Sequence, residues 1–345
     1  MLKRLTLVLA ILFALLLGAL LLGPFLIPTE TVQALGSASA AATPRSRFLS
    51  IPFPGTEGVG IHYLETPGRG GMTWVLLHGL TLNAFTWGRV EGGLAKRGRV
   101  LAYDQIPHGL SAKLKRGDWR GPHPYAKESA IAQLIAVLDR LGIERAHLIG
   151  SSSGGTLALE AALAHPERVE SLILIAPWVY LQHPTVPAMI TELPQMRRLT
   201  LLIGRFLGER TLLDLTHPQP QEIGEERRRL ALIHTRMANW DLAWGELMAR
   251  ALSTPVDVGG RLAQVRQPVL VMTGDQDPLV PVEDSRRVAA GLASAELVVL
   301  AGCGHAPQEE CPEAFLDAVD RWLESGLRPQ GEPQAAAGSG HRTAD

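Results

Sequence analysis

Three side chains in this 345-residue chain have the types and surroundings for covalent acyl chemistry: Ser152, Asp277 and His305. Ser152 is the centre of Gly150-Ser151-Ser152-Ser153-Gly154. The apolar run Ala146 to Ile149 before it reads as a short buried strand, and Thr156 to Ala164 after it reads as a buried helix. A serine at the apex of a strand, tight turn and helix is the setting of a nucleophile elbow. The flanking glycines leave its hydroxyl standing alone, and the helix behind directs backbone N–H groups and a positive dipole end at the reacting centre. Taken alone, the motif reads equally as a Ser/Gly-rich turn with no chemistry. Of the three consecutive serines only Ser152 has glycines at this spacing, which leaves Ser151 as a neighbour and Ser153 as a backbone donor.

A serine hydroxyl is a poor nucleophile at neutral pH and needs a base within hydrogen-bond reach, commonly a histidine oriented by a carboxylate. Asp277 in DQDPLVP and His305 in GCGHAPQE both fall in turns just after apolar runs, so both are expected on the same sheet edge as Ser152. Other residues compete for these roles. Asp275 is two positions from Asp277 and could serve as the acid. Asp104 also ends a strand. His78 reads as a structural residue that positions its own loop, His147 as a core or edge histidine, and His108 has no assignable role.

The elements that must position these groups alternate. Strands are expected at Phe48 to Phe53, Val59 to Leu64, Trp74 to Leu77, Val100 to Tyr103, Ala146 to Ile149, Leu172 to Ile175, Val269 to Met272 and Glu296 to Leu300. Helices are expected at Phe85 to Arg97, Tyr125 to Leu141, Val282 to Leu292 and Pro312 to Leu323. Such alternation predicts an α/β fold with a mostly parallel sheet covered on both faces, and sheets of this kind bind ligands at the carboxyl ends of their strands. Between 177 and 267 the alternation stops. Met189 to Leu207 and Glu225 to Leu252 read as helices of a cap inserted between core segments 47–176 and 268–327. Within the cap Arg227, Arg228 and Arg229 read as a solvated helix face, and Trp240 and Trp244 as cap core.

The motifs LLHGL, DQIPHGLS, GSSSGG, TGDQDPLVP and GCGHAPQEECPEAF occur in register from about Phe48 to Leu323. Together they resemble the α/β-hydrolase superfamily. The resemblance implies Ser152 as nucleophile, Asp277 as acid and His305 as base, with the oxyanion hole formed by the backbone N–H groups of Leu80 and Ser153. Each such donor supplies roughly 3 kcal/mol of transition-state stabilisation. The resemblance places Asp104 in a structural turn. It also expects a glycine where Pro107 stands, which leaves the shape of that turn open. Haloalkane dehalogenases and related epoxide hydrolases carry aspartate at the elbow tip, so Ser152 argues against both. The implied function is hydrolysis of a carboxylic ester, esterase- or lipase-like, with no metal and no organic cofactor. Cofactor-free haloperoxidase-like chemistry, carbon–carbon bond hydrolysis and peptidase activity are alternatives at the same three residues. Outside enzymology, the alternatives are a ligand-binding module on the same fold and an anchored protein whose cap binds a partner.

Composition bounds the setting. The chain is 46% hydrophobic with a net charge of −1, so a large core is available and no basic stripe points to nucleic acid. Lys3 and Arg4 precede an apolar run from Leu5 to Ile27. That run is long enough to cross a hydrocarbon core of about 30 Å, and it reads as an uncleaved membrane anchor within segment 1–29. A signal cleaved near Ala38-Ser39-Ala40 is the alternative. Either way the catalytic domain is expected outside the cytoplasm. Segment 30–46 reads as a linker and 328–345 as a disordered tail. Cys303 and Cys311 lack zinc-site spacing and read as two free thiols, with a local disulfide as the alternative for an exported domain.

Overall fold

The computed structural model describes residues 2–26, 37–80, 82–180, 185–207 and 223–327, together with positions 214, 216 and 221. Its strands are β1 (Arg47–Ile51), β2 (Val59–Thr66), β3 (Met72–Leu77), β4 (Gly98–Tyr103), β5 (Ala146–Ser151), β6 (Val169–Ile175), β7 (Val269–Gly274) and β8 (Ala295–Leu300). They form one eight-stranded sheet in the order β1-β2-β4-β3-β5-β6-β7-β8. β1 and β2 enter antiparallel, and every pairing from β4 across to β8 is parallel. The helices are α1 (Leu2–Leu26), α2 (Glu91–Leu94), α3 (Lys127–Arg140), α4 (Ser153–Ala164), α5 (Ala188–Thr191), α6 (Pro194–Leu207), α7 (Glu225–Ala231), α8 (Trp240–Ser253), α9 (Val282–Gly291), α10 (Pro307–Glu310) and α11 (Pro312–Glu324).

Alternation along β3 shows why the central strands read as unbroken apolar runs. Val75 and Leu77 point to one face and join Leu134 and Val137 of α3 and Leu157 and Ala161 of α4. Trp74 and Leu76 point to the other and join Trp87, Phe315 and Trp322. Successive side chains of a strand alternate faces, so a sheet covered on both sides needs apolar residues at every position.

Several expected helices are broken. Phe85 to Arg97 contains only a 3₁₀ turn at Ala84–Trp87 and the single turn α2. Gly88, Gly92 and Gly93 interrupt the stretch, and glycine is a poor helix former. Met189 to Leu207 splits into α5 and α6, with Pro194 opening the second helix. Glu225 to Leu252 splits into α7 and α8 around Asn239, which adopts a left-handed φ of 63°. Between β6 and β7 no strand forms among the described residues. The segment read as a linker is packed where it is described: Ala38, Ala41 and Ala42 lie against Leu110, Ile233 and Met237. Ile27 to Gly36 and the tail 328–345 lie outside the described residues.

The cysteine reading is corrected. Cys303 and Cys311 form a disulfide across the loop that carries His305. The bridge joins the end of β8 to the residue before α11 and so closes a small ring around the histidine. Closing a short loop restricts the unfolded chain. Replacing both cysteines with serine is expected to lower the unfolding free energy by about 2–3 kcal/mol, read as a shift of the urea midpoint. An unshifted midpoint would show that the ring adds no stability.

Candidate active site

The elbow forms where the sequence places it. Ser152 follows β5 directly and has φ 55° and ψ −119°, a backbone region that costs a non-glycine residue of order 1–3 kcal/mol. Hydrogen bonds on both sides hold it there: its N–H donates to the Ile175 carbonyl at 2.8 Å, and its carbonyl accepts from the Trp178 N–H at 3.1 Å. The glycines are required by contact. A Cβ on Gly150 would lie 2.4 Å from the Gly154 carbonyl oxygen, and one on Gly154 would lie 2.1 Å from that of Leu77. Ser153 opens α4, so its N–H has no acceptor within the helix.

Asp277 and His305 come together. The His305 Nδ1 is 2.8 Å from Asp277 Oδ2, and both side chains are buried. The other Asp277 oxygen accepts the N–H groups of Leu279 at 2.8 Å and Val280 at 2.9 Å. Held this way, Asp277 accepts a hydrogen bond from the Nδ1–H of His305 and leaves Nε2 as the unprotonated nitrogen. The competing Asp275 is exposed and accepts the Gly302 N–H at 2.7 Å instead. The His305 loop is braced by Glu310, whose two oxygens accept the N–H groups of Gly304 and Ala306, each at 2.8 Å. Ser152, Asp277 and His305 follow β5, β7 and β8 and so share the carboxyl edge of the sheet.

The loop after β3 lies against the serine. A Cβ on Gly79 would be 3.1 Å from Ser152 Cβ and 3.8 Å from its Oγ, so only glycine leaves room for a reacting carbonyl there. Consecutive carbonyls of this loop are each held by a side chain. Gln105 Nε2 donates to His78 O at 2.7 Å, His78 Nδ1 donates to Gly79 O at 2.8 Å, and His108 Nε2 donates to Leu80 O. The Gln105 N–H meets His78 Nε2 at 3.0 Å, which fixes the proton of His78 on Nδ1. Burial lowers the pKa of His78, against the pull of Asp104 and the Gly79 carbonyl. Burial also pushes His108 down to about 3, so both rings are neutral donors at pH 7. The carbonyls of His78, Gly79 and Leu80 are thus each occupied by a side-chain donor.

Asp104 anchors the turn that supplies these donors. Its oxygens accept the N–H groups of Ala84 and Leu110, each at 2.7 Å, and His62 Nδ1 at 2.7 Å. Gly109, at φ 50°, lies so close that a Cβ would be 1.7 Å from Asp104 Oδ2. The Ile106–Pro107 bond is cis, which gives the turn its shape where the resemblance expects a glycine. His147 is a sheet histidine, bonded to the Ser171 hydroxyl at 2.8 Å and packed on Trp74. Sequence reasoning overlooked Gln105 and left His108 without a role. The DQIPHGLS motif contained both, but only the fold brings that turn under the loop after β3.

The arginine cluster is corrected. Arg227 is only partly exposed and forms a two-point pair with Glu309 of α10, with Nε to Oε2 at 2.5 Å and Nη2 to Oε1. The Thr86 hydroxyl also donates to Glu309. Arg228 pairs with Asp214 at 2.8 Å, and only Arg229, paired with Glu226 within its own helix, lies on an exposed face. Trp240 and Trp244 are buried with ring centres 4.9 Å apart. A cavity of about 540 Å³ opens between α7 and the His305 loop, bounded by Phe85, Ile223, Arg227, Gln276 and Glu309.

A family model described as the alpha/beta hydrolase family matches residues 74–318. The chain belongs to the alpha/beta hydrolase family. This hydrolase is 31% identical over 283 residues to a 2-hydroxy-6-oxononadienedioate/2-hydroxy-6-oxononatrienedioate hydrolase of Paraburkholderia phymatum, across 78% of this chain and 92% of that one. Among solved structures, an esterase from Thermogutta terrifontis matches with a TM-score of 0.65 at 22% identity, over 82% of this chain and 99% of that one. A membrane phospholipase A described as a bacterial virulence factor matches with a TM-score of 0.62 at 24% identity, over 94% of this chain and 99% of that one. Both structural likenesses establish the fold.

Two outcomes follow for this hydrolase. Burial alone would raise the Asp104 pKa, but the charge and hydrogen bond of His62 and the Ala84 N–H outweigh it and hold the carboxyl below its ordinary range. A depressed carboxylate gives stability that is present above its unfolded pKa of about 3.9 and lost as pH falls through the folded value. Asp104→Asn should therefore destabilise the protein at pH 7 and flatten its acid-unfolding limb; an unchanged limb would show that Asp104 is not coupled to folding. His108→Leu should lower kcat about 10- to 100-fold through misplacement of the Leu80 loop, with KM little changed. His108→Gln keeps a donor for the Leu80 carbonyl and should recover most of the loss; equal losses in both variants would refute the positioning role.

Proposed function

We propose that this hydrolase cleaves a carboxylic ester through an acyl-enzyme on Ser152. The observation that carries the reading is the buried Asp277–His305 pair at the same carboxyl edge of the sheet as a serine held in a strained elbow. Ser152 Oγ attacks the carbonyl carbon while His305 Nε2 takes its proton. The developing oxyanion is met by the N–H groups of Leu80 and Ser153, preorganised and sheltered from water. His305 then gives the proton to the leaving alcohol as the carbon–oxygen bond breaks. Water, deprotonated by the same nitrogen, releases the acid and restores the serine. Asp277 keeps His305 in the required tautomer and stabilises its imidazolium.

One feature of the chain supports an uncharged, lipid-like ester. Thr6–Leu26 is apolar enough and long enough to cross a membrane, and an anchor there holds the site near a bilayer. We read this helix as the anchor, with the catalytic domain outside the cytoplasm.

The second reading is hydrolysis of a carbon–carbon bond at the same serine. Its support is the curated relative from Paraburkholderia phymatum, named for a dienedioate substrate, and that name bears on this chain more directly than either structural likeness does. In that reaction His305 would return the proton to a carbon leaving group rather than to an alcohol.

A paired assay separates the two readings. Under the ester reading, purified enzyme turns over nitrophenyl esters of increasing chain length far faster than a 2-hydroxy-6-oxo-dienoate, and the reverse order establishes the second. Ser152→Ala should reduce either activity by more than about a thousandfold and abolish labelling by a fluorophosphonate. Retained labelling would remove Ser152 from the mechanism.

A further inference from the structure

The helical insertion carries an apolar surface that its own domain does not cover. Met189 is 78% exposed, Leu193 46% and Ile203 45%, with Ile190 and Leu199 close behind. All lie on or between α5 and α6. Leu199 and Ile203 are one turn apart, so they share the outer face of α6, while Leu201 and Leu202 are buried beneath. Exposed single apolar residues need no explanation. Five within fifteen positions on one pair of helices form a patch, and patches mark contact surfaces.

The position of α1 identifies what covers it. α1 packs against α6, and the Arg198 Nε donates to the Pro24 carbonyl at 3.0 Å. Pro24 lies near the end of the span Thr6–Leu26. At 1.5 Å per residue the span is about 31 Å long, close to the hydrocarbon thickness of a bilayer. Its final residues therefore lie at the membrane–water boundary, and α6 is tied to that same level. An amphipathic helix held there lies in the interface with its apolar face toward the acyl chains.

We infer that the exposed face of α5 and α6 docks on the lipid bilayer, so that the insertion, and not α1 alone, contacts the membrane. This rests on the reading of α1 as an uncleaved anchor. The insertion also borders the cavity beside His305, through Ile223, Gly224 and Arg227. The docked face thus belongs to the segment that borders this cavity, and the class of ligand it meets is a phospholipid surface.

The test uses the full-length chain in vesicles of phosphatidylcholine and phosphatidylglycerol. A single cysteine labelled with a polarity-sensitive fluorophore is placed at Met189, at Ile203 or, as a control, at Arg286, an exposed side chain of α9. The expected result is blue-shifted emission at 189 and 203, with quenching by lipids brominated at shallow acyl positions, and neither effect at 286. Carbonate extraction and the intact mass report separately on α1. If α1 stays in the membrane while 189 and 203 match the control, the docking proposal fails and the anchor stands. If the mature chain starts beyond α1, the anchor reading itself fails and the proposal falls with it. Energy transfer between labelled copies without lipid quenching would assign the face to a second copy of the chain and would equally overturn the proposal.

Discussion

The arrangement depends on one strained residue. Ser152 occupies a backbone region that a side chain rarely adopts, and it stays there because the sheet around it is complete. Its N–H is bonded to the last residue of β6 and its carbonyl to Trp178 just beyond. β5 itself is fixed between β3 and β6. A strain of order 1–3 kcal/mol persists only where neighbours over-determine the conformation. Here the central strands, buried on both faces, do so. The return is a hydroxyl raised clear of its own backbone, next to the N-terminal N–H groups of α4.

A second constraint orients the acceptor side of the reaction. Asp104 is not near the bond-making atoms, yet its carboxylate gathers three donors and shapes the turn from Gln105 to Leu110. That turn in turn supplies Gln105 and His108, which hold the His78 and Leu80 carbonyls. The loop is therefore aimed by bonds to its carbonyls, made by neutral side chains that burial keeps uncharged. Such an arrangement suits an oxyanion hole because its donors need no reorganisation when charge develops.

The strands, their burial on both faces and the positions of Ser152, Asp277 and His305 after three of them were legible in the sequence. Each depends on local pattern: apolar runs, a Gly-flanked serine, polar turns at strand ends. What was not legible depended on contacts between distant segments. Arg227 looked solvated because its helix has charged neighbours, and only the fold brings Glu309 to it across 82 positions. His108 had no role until β3 and β4 lay side by side. The cysteines could not be paired from spacing alone, since eight residues of separation fit a bridge or two thiols equally. Breaks in the helices of the insertion came from Pro194 and from Asn239, residues whose effect on a long amphipathic pattern is local and easily averaged away.

The insertion links parts that the core alone would leave separate. On one side Arg227 of α7 grips Glu309, four residues beyond His305. On another, Asn83 in the loop before the 3₁₀ turn donates to the carbonyls of Leu230 and Ala231 at 2.8 and 2.9 Å, which ties α7 to the segment following the loop after β3. On a third, α6 takes the end of α1. α6 and α7 belong to one insertion, which α8 supports by packing its buried tryptophans inward. A displacement of the insertion would therefore be felt at the histidine loop and at the segment after Leu80 together. The pairs differ in kind. Arg227–Glu309 is a two-point ion pair with a buried carboxylate, so separating it would leave a buried charge unpaired, whereas the contact of α6 with α1 includes a single bond to a carbonyl. One attachment is thus to the histidine loop and the other to α1. Under the proposed reading of α1 as an anchor, the insertion therefore connects the anchoring helix to both loops that flank Ser152.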